Sequence, residues 1–220
     1  MEPIPLYVDV PMCSFRPRWA REYQETYPVP PPATVYGMLL ALVGVDWDEK
    51  PRHAGTRLAI AIGKEPEQSR IFRKFRRVPQ SGKHDALVER RPDYQELLLW
   101  LKLWVWVDDG ESEHPLTSEI EKALGPGRSE IVRYGGLSLG ESSHLVNEIT
   151  IRKPKSDGRY LSPQTGGRLN LPVWVHHQRD GKGSSRLANF DLGETQALET
   201  PSPDSNLWIR VGPGDDRAGN

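Results

Sequence analysis

Three glycines fall within the six residues GGLSLG, at positions 135–140, and Arg133 stands shortly before them. Glycine leaves backbone amides uncovered, and a hydroxyl such as that of Ser138 can donate a hydrogen bond. Both groups suit close contact with a phosphate backbone. A turn between two strands also uses glycine, because glycine accepts positive φ, and needs no ligand. The segment therefore predicts either a phosphate contact or a plain turn.

Two regions of the chain concentrate positive charge, although the formal net charge is −1. Residues 70–91 hold eight Lys or Arg against two acidic residues, and residues 150–190 hold the same numbers. Acidic residues concentrate elsewhere, with six of them and no base in residues 108–121. A charge run is usually solvated surface, but a polyanion such as RNA needs basic regions of this kind.

The residue patterns of common hydrolases and metalloenzymes are missing from the sequence. The six histidines form no H-E-x-x-H motif, and neither a P-loop nor G-x-S-x-G occurs. We therefore expect no metal and no cofactor. Metal-free RNA cleavage requires only a base near a 2′-hydroxyl and donors for the phosphate, and Tyr36, Lys83 and His84 are candidates for it. An inert histidine in an exposed arm is the favoured alternative, so we expect no enzyme.

The overall composition is that of a globular protein, with 220 residues, 36% of them hydrophobic and 27% charged. This length suits one large domain, or one domain with a smaller lobe. The single cysteine, Cys13, excludes an internal disulfide and fits a reducing cytosol. The N-terminal residues lack the pattern of a signal peptide, and no apolar run reaches about 18 residues. We expect a cytoplasmic protein with no membrane partner.

The elements that position these residues begin with the stretch VPPPATVYGMLLALVG, residues 29–44. Its apolar residues recur at helical spacing, the prolines hold the entrance extended, and Gly44 is placed to end the helix. A second stripe of the same helix consists of small residues: Thr34, Gly37, Ala41 and Gly44. Gly37 costs roughly 1 kcal/mol of helix propensity relative to alanine. Close approach of another chain, RNA or protein, would explain it, and tight packing on the protein's own sheet is the alternative.

Further elements follow from alternation and turn residues. Strands are predicted at residues 4–12, 56–63, 97–107, 173–175 and 207–211, with strand-like ends at 131–153. The spacing of Ser118 and Glu121 predicts a capping box before a short helix that ends at Gly125. Trp100, Trp104 and Trp106 share one side of their strand with Lys102, which favours core packing over base stacking. The order resembles βαββαβ, the ferredoxin-like plan.

Three segments together resemble the Cas-five family of CRISPR-associated proteins: Phe15-Arg16, TYPVPPPATVYGMLLALVG at 26–44, and GGLSLGESSHLV at 135–146. The Y-P-x-P-P-P motif is specific, because chance seldom orders so many constrained residues. The likeness covers residues 4–46 and 131–152 well. It implies an α+β fold with a ferredoxin-like, RNA-recognition-type core and an extruded β-hairpin thumb. We expect this core at residues 1–153 with the thumb at 68–96, a small β-rich C-terminal lobe at 154–211, and a disordered tail at 212–220.

The resemblance also implies a role and partners. Members of the family bind the 5′ handle of CRISPR RNA (crRNA) in type I Cascade complexes, and the thumb separates the handle from the first spacer nucleotides. The implied protein partners are the backbone (Cas-seven type) subunit and the large (Cas-eight type) subunit. Target DNA near the PAM is a further candidate partner. In one subtype the family member cleaves precursor RNA, but its Tyr/Lys/His set has no clear spacing here. A scaffold without an RNA role is the third alternative.

The expected RNA contacts come from the helix entrance, from residues 70–91, called the basic arm below, and from residues 135–146, called the glycine segment below. They are Arg16, Tyr36, Gly37, Arg73, Lys74, Arg76, Arg77, Lys83, Arg133, Gly135, Gly136, Ser138 and Gly140. Phe72, Phe75 or Val78 would wedge at the base of the thumb.

Overall fold

The structure is a computed structural model that describes residues 2–20, 23–46, 48–76, 90–133, 135–176 and 184–213. Within these ranges the side chains of residues 74–76, 90–92, 127 and 129 are not described. The α-helices are α1 (Pro32–Val43) and α2 (Leu116–Leu124), and 3-10 helices span Lys50–His53 and Pro126–Glu130. The strands are β1 (Ile4–Cys13), β2 (Tyr23–Gln24), β3 (Arg57–Lys64), β4 (Glu67–Arg76), β5 (Arg90–Asp108), β6 (Glu148–Ile151), β7 (Asp157–Pro163), β8 (Leu169–Val175), β9 (Ser185–Leu192), β10 (Gln196–Ala197) and β11 (Ile209–Arg210).

The described strands form one mainly antiparallel sheet, and the two helices make the fold a mixed α/β arrangement. The sheet runs in the order β6-β1-β5-β3-β7-β9-β8. β5 is the longest strand and pairs with β1, β3 and β4, all antiparallel, whereas the short β2 pairs with it in parallel. β5 therefore holds the core of the sheet and the base of the basic arm in one continuous strand.

The sheet carries an apolar cluster on each of its faces, as the alternation of β1 shows. Leu6, Val8 and Val10 have no exposed surface and belong to the main core, which also contains the apolar side of α1. Tyr7 points to the opposite face, where it packs against a second cluster that includes Trp104 and Trp106. Successive side chains of a strand point to opposite faces, so anything bound beside α1 lies across the sheet from anything bound beside Tyr7.

Helix α1 confirms the sequence pattern. Its apolar stripe is buried, and Gly44 ends it in the left-handed conformation with φ 77°. The amides of Thr34 and Val35 both donate to the Pro31 carbonyl, at 2.8 and 3.1 Å. Proline has no N–H, so the helix entrance presents few backbone donors. The three prolines therefore stiffen the entrance and leave it few donors for a ligand.

Helix α2 corrects the predicted capping box. The helix begins at Leu116, two residues before Ser118, and no side chain of the helix start caps it. The Thr117 amide donates instead to the Asp109 carboxylate at 2.9 Å, and the Ser118 hydroxyl donates to the Pro115 carbonyl. A carboxylate from the preceding turn has thus taken the role that the local spacing assigned to Ser118.

The basic arm leaves the sheet as an antiparallel pair of strands. β4 and β5 pair from Glu67 with Leu99 to Arg76 with Arg90, and the segment between them, 77–89, lies outside the described residues.

The three tryptophans of β5 differ in their exposure to solvent. Trp104 and Trp106 are buried, as core packing predicts, whereas Trp100 is 57% exposed and has φ 59°. The shared side predicted for all three is therefore wrong for Trp100, because the backbone turns where β5 changes partner from β4 to β3.

The C-terminal strands continue the same sheet. β7 and β11 both pair with β3, and β8 and β9 follow β7. The predicted strand at residues 173–175 is confirmed within β8, but Ile131, Val132 and Arg133 form no strand. The division near residue 153 stays a prediction, and most of the predicted tail lies outside the described residues. No helix in the described part of the chain is long and apolar enough to cross a membrane.

Candidate nucleic-acid interface

A cleft of about 570 Å³ lies where α1 faces the glycine segment, and it is called the helix–glycine cleft below. Its residues come from α1, the turn after it, the segment 132–140 and β8. The lining residues are Ala33, Thr34, Tyr36, Gly37, Met38, Leu40, Ala41, Gly44, Val45, Asp46, Lys50, Val132, Arg133, Gly136, Leu137, Ser138, Gly140, Pro172 and Val175. The cleft thus joins two motifs that stand about a hundred residues apart in the sequence.

The α1 wall of the cleft is the stripe of small residues. Gly37 and Ala41 are exposed, on the side of the helix away from its buried apolar stripe. A Cβ atom added at Gly37 would meet no atom within 4 Å. Packing on the protein's own sheet therefore does not require glycine here. The position is open towards the cleft, which agrees with the alternative that another chain approaches it.

The glycine segment forms a small hairpin of its own. The Leu139 amide donates to the His144 carbonyl at 3.0 Å, and the Val146 amide donates to the Leu137 carbonyl at 2.8 Å. Burial lowers the pKa of His144, and its neutral ring accepts a hydrogen bond from the Ser14 amide through Nδ1 at 3.2 Å. The first two bonds hold the hairpin together and the third attaches it to the end of β1, so the glycine wall is a fixed surface.

Two glycines around the cleft have structural reasons of their own. Gly140 has φ 97°, and a Cβ there would lie 2.5 Å from the Ser14 carbonyl oxygen. At Gly44 a Cβ would lie 2.6 Å from the Val132 carbonyl oxygen, so this residue permits the contact between α1 and residues 131–132. Left-handed backbone and close approach both favour glycine. These positions shape the cleft without needing any ligand.

Tyr36 lines the cleft with its ring while its hydroxyl is used inside the protein. The hydroxyl donates to the Lys50 carbonyl at 2.8 Å, and burial raises the pKa of the phenol. The ring lies 5.7 Å from that of Trp174, and Tyr36 as a whole is only 1% exposed. A phenol held in this way fixes the turn after α1 and is poorly placed to act as a base.

Lys50 is the cation that the sequence analysis missed. Its ammonium donates to the Val175 carbonyl and lies 4.0 Å from the centre of the Trp174 ring. Burial lowers the pKa of Lys50 to about 8, so the side chain is charged at neutral pH and loses its charge in mildly alkaline solution. Arg133 is the other cation of the lining and Asp46 its carboxylate, so the cleft is only weakly positive.

Arg73 has a partner within the protein. Its guanidinium donates to the Glu141 carboxylate and to the Gln24 side chain, both at 3.3 Å. Glu141 also accepts a hydrogen bond from Gln95 at 2.8 Å. These contacts connect the base of the basic arm to the glycine segment, so Arg73 has a bracing role besides any contact with a ligand.

Of the thirteen predicted contacts, the cleft brings together six: Tyr36, Gly37, Arg133, Gly136, Ser138 and Gly140. Gly135 adjoins them with φ 78° and open space around it. Arg16 is exposed away from the lining, and its guanidinium donates to the Ala20 carbonyl. Lys74 and Arg76 belong to β4 by backbone only, and Arg77 and Lys83 lie outside the described residues, as do His84 and Val78. Phe72 is 58% exposed beside Tyr94, and the side chain of Phe75 is not described.

β8 is the part of the site that no local sequence motif predicted. Pro172 and Val175 line the cleft, and the Trp174 ring contacts both the Tyr36 ring and the Lys50 ammonium. The apolar stretch around residue 174 indicates a strand but not its neighbour. Only the run of β7, β9 and β8 past β3 places it against α1.

Removal of the Tyr36 hydroxyl tests its structural role. We expect Tyr36→Phe to lower the free energy of unfolding by about 1 kcal/mol, because a part-buried hydrogen bond to the Lys50 carbonyl is lost. Urea unfolding followed by tryptophan fluorescence measures the change. Tyr27→Phe is the control, since the contact described for the Tyr27 side chain is made by its ring, edge-on to Trp19 at 5.8 Å, and this contact does not need the hydroxyl. Equal effects of the two substitutions would contradict the assignment.

Among the described residues, no group of three or more His, Cys, Asp or Glu side chains is arranged to hold a metal ion. The polar groups of the cleft are backbone groups, the hydroxyls of Thr34 and Ser138, two cations and the Asp46 carboxylate. The donors among these groups bind and position an anionic chain.

Comparison with known proteins gives a consistent family. The family model described as "CRISPR-associated protein (Cas_Cas5)" matches residues 4–128. A curated protein of Myxococcus xanthus (strain DK1622), "CRISPR-associated protein Cas5", is 37% identical over 208 residues, which cover 89% of this chain and 91% of that protein.

Two solved structures are similar in fold. A chain of a "CRISPR RNA-guided surveillance complex" matches with a TM-score of 0.63 at 15% sequence identity, covering 87% of this chain and 90% of that chain. The structure described as "Crystal structure of Cas protein" matches with a TM-score of 0.50 at 15% identity, covering 96% and 98%. At this identity the likeness concerns the fold alone.

Proposed function

The chain belongs to the CRISPR-associated Cas5 family, and from this membership we propose that it is a non-catalytic, RNA-binding subunit of a CRISPR effector complex of the type I Cascade class. In this role it caps the 5′ handle of crRNA. The complex uses the rest of the RNA to find DNA.

The observation that carries the proposal is the helix–glycine cleft. Its two walls are the proline-led helix and the glycine segment, the motifs on which the family resemblance rests. Gly37 is exposed in this cleft, although the packing of α1 within the protein does not require glycine at that position. A wall of small residues opposite the glycine segment lets a sugar–phosphate backbone come close, and contacts with that backbone fix position and not sequence.

The fold supports the same proposal. The chain order β1, α1, β3, β5, α2, β6 is βαββαβ, and the sheet order β6-β1-β5-β3 places the fourth strand beside the first. We infer a ferredoxin-like core of the RNA-recognition type from this order. The hairpin of β4 and β5 is then the base of the thumb, with Lys74, Arg76 and Arg77 as its phosphate contacts.

The partners follow from the role. The handle of crRNA occupies the helix–glycine cleft, the backbone (Cas-seven type) subunit follows along the RNA, and the large (Cas-eight type) subunit lies beside it. Target DNA near the PAM is a further partner in the cytoplasm. Exposed apolar residues such as Val132, 75% exposed beside the cleft, support contact with neighbouring subunits.

Binding of handle RNA at different pH values tests the proposal. We expect labelled repeat RNA to bind the purified chain. Affinity should fall by up to about tenfold from pH 7 to pH 9, because Lys50, with a pKa near 8, must carry its proton to attract a phosphate. Fluorescence anisotropy of labelled RNA measures both effects.

Lys50→Met serves as the matched variant for this experiment. It should bind more weakly at pH 7 and lose most of the decline towards pH 9. Lys122→Met, on α2 outside the cleft, should retain the wild-type profile. Failure of repeat RNA to bind, or an equal decline of affinity towards pH 9 in wild type and Lys50→Met, would exclude the cleft as the handle site.

A metal-independent endoribonuclease that processes precursor crRNA is the second candidate. The buried, internally bonded phenol of Tyr36 favours the non-catalytic role. Incubation of repeat RNA with the protein in EDTA, followed by a denaturing gel, separates the two. We expect no defined product; a single product that disappears in His84→Ala would establish the enzyme.

A further inference from the structure

A second cavity, of about 640 Å³, lies on the face of the sheet opposite α1, and it is called the basic groove below. It is lined by Tyr7, Gly63, Lys64, Lys102, Trp104, Arg152, Lys153, Lys155 and Ser156. Tyr7 and Trp104 belong to the second core cluster, across the sheet from the residues that pack on α1. The basic groove is therefore separate from the helix–glycine cleft.

The lining of the basic groove contains five cations and no carboxylate. Two of the cations have partners just outside it: Lys102 contacts Asp9 at 2.5 Å, and Arg152 contacts Glu148 at 3.8 Å. Within the part of the chain that the structure describes, Lys64, Lys153 and Lys155 have no ion-pair partner. Three uncompensated positive charges thus converge on one groove of a chain whose formal net charge is −1.

The floor of the basic groove is aromatic but covered. Tyr7 and Trp104 lie 5.1 Å apart, and the Arg152 guanidinium stands 3.7 Å above the Tyr7 ring. Trp104 is only 5% exposed. Trp104 therefore offers a nucleobase no open face on which to stack. The five cations that surround this apolar floor favour an anionic ligand.

Arg152 is also held in a defined position. The Tyr7 ring below it and the Glu148 carboxylate beside it orient the guanidinium, and the Arg152 amide donates to the Pro5 carbonyl at 3.0 Å. An oriented guanidinium presents its planar donors to phosphate in pairs. Lys153 and Lys155 follow it at once along the chain, and Pro154 between them restricts the backbone.

We propose that the basic groove binds the phosphodiester backbone of a nucleic-acid strand other than the one in the helix–glycine cleft. Arg152 binds one phosphate through two N–H groups of its guanidinium. Lys64, Lys153 and Lys155 add the positive charge that attracts the strand. Contacts of this kind are independent of sequence and sensitive to salt. In a subunit that also holds guide RNA, such a groove would hold DNA, while a second segment of RNA has the same phosphate chemistry.

A variant that removes three charges from the basic groove tests the proposal. We compare Lys64→Gln/Lys153→Gln/Lys155→Gln with wild type, using the full chain first saturated with unlabelled repeat RNA. The probes are a fluorescein-labelled DNA duplex and a labelled single strand of DNA. Anisotropy at a series of salt concentrations should show tenfold or weaker binding for the variant. The slope of log affinity against log salt should decrease by about 2 to 3, as expected for three lost phosphate contacts.

The matched control loses the same net charge elsewhere: Lys122→Gln/Arg168→Gln/Arg210→Gln, all outside both cavities. It should retain the wild-type slope. If DNA does not bind but a second equivalent of repeat RNA does, and only the groove variant loses it, the proposal holds with RNA as the strand. An unchanged slope in the groove variant, or an equal loss in the control, overturns it. Binding of poly-glutamate to the groove without either nucleic acid also overturns it.

The outcome is independent of the handle site. The groove variant should bind its first equivalent of repeat RNA within twofold of wild type. If handle RNA fails to bind the helix–glycine cleft while DNA binding still depends on Lys64, Lys153 and Lys155, the proposed function fails and the groove stands. If handle RNA binds the helix–glycine cleft while DNA binding does not depend on these three lysines, the groove proposal fails and the proposed function stands.

Discussion

Gly37→Glu is expected to weaken the binding of handle RNA by about tenfold or more without destabilising the protein. The new carboxylate would stand in the helix–glycine cleft, where it repels phosphate, and like-charge contact at an interface costs several kcal/mol. The fold has room for the side chain, since a Cβ at Gly37 meets nothing within 4 Å. Glutamate is also a better helix former than glycine by roughly 0.5–1 kcal/mol, so the free energy of unfolding should be equal or higher.

Two further variants make this test sharp. Ser118→Glu adds the same charge to an exposed position of α2, outside the cleft, and should leave RNA affinity within twofold. Gly37→Ala adds one methyl group without charge; it should stabilise the helix and weaken RNA binding only if RNA lies against α1. Anisotropy gives the affinities and urea unfolding the stabilities. Full RNA affinity in Gly37→Glu would remove the cleft from the handle site.

Gly140→Ala is expected to lower the free energy of unfolding by about 3 kcal/mol or more. Two costs add at this position. The backbone has φ 97°, and positive φ costs an alanine roughly 1–2 kcal/mol. The new Cβ would also lie 2.5 Å from the Ser14 carbonyl oxygen, so either the end of β1 or the glycine segment has to move.

Gly135→Ala separates these two costs. Gly135 also has positive φ, 78°, but a Cβ there meets no atom within 4 Å. We expect a loss of about 1–2 kcal/mol, from backbone strain alone. Urea unfolding of the two variants under the same conditions gives the comparison. Equal losses would show that the contact between Gly140 and Ser14 carries no weight in the stability of the glycine segment.

Local pattern was sufficient for α1. Its apolar residues recur at helical spacing and its prolines precede it, so its bounds, its buried side and its glycine end all follow from neighbours in sequence. Local pattern also predicted β1 and residues 97–107 of β5, whose apolar runs have the length and composition of strands, but it did not predict the exposure of Trp100. Family membership was also readable, because the proline-rich motif and the glycine segment carry it. In each case the interactions that decide the outcome lie within a few residues of one another.

Predictions from local pattern were wrong where a residue farther away in the sequence provides the hydrogen bond or the ion pair. The start of α2 depends on Asp109, which takes the Thr117 amide, so Ser118 is not the cap. Arg73 reads as a free phosphate partner in a basic run, yet it is paired with Glu141, 68 residues away in the sequence. A charge pattern shows where cations are concentrated in the sequence, but not which carboxylates pair with them in the folded protein.

The sequence by itself determined the helix, its open stripe of small residues, the glycine segment and the family. Only the tertiary structure decided that these two motifs face each other, that β8 closes the cleft with Lys50 beside it, and that five cations from β3, β5 and residues 152–155 meet on the opposite face. The physical reason is the range of the interactions. Helix and turn formation depend on neighbouring residues, whereas a cavity exists only after sheet pairing has brought remote strands together.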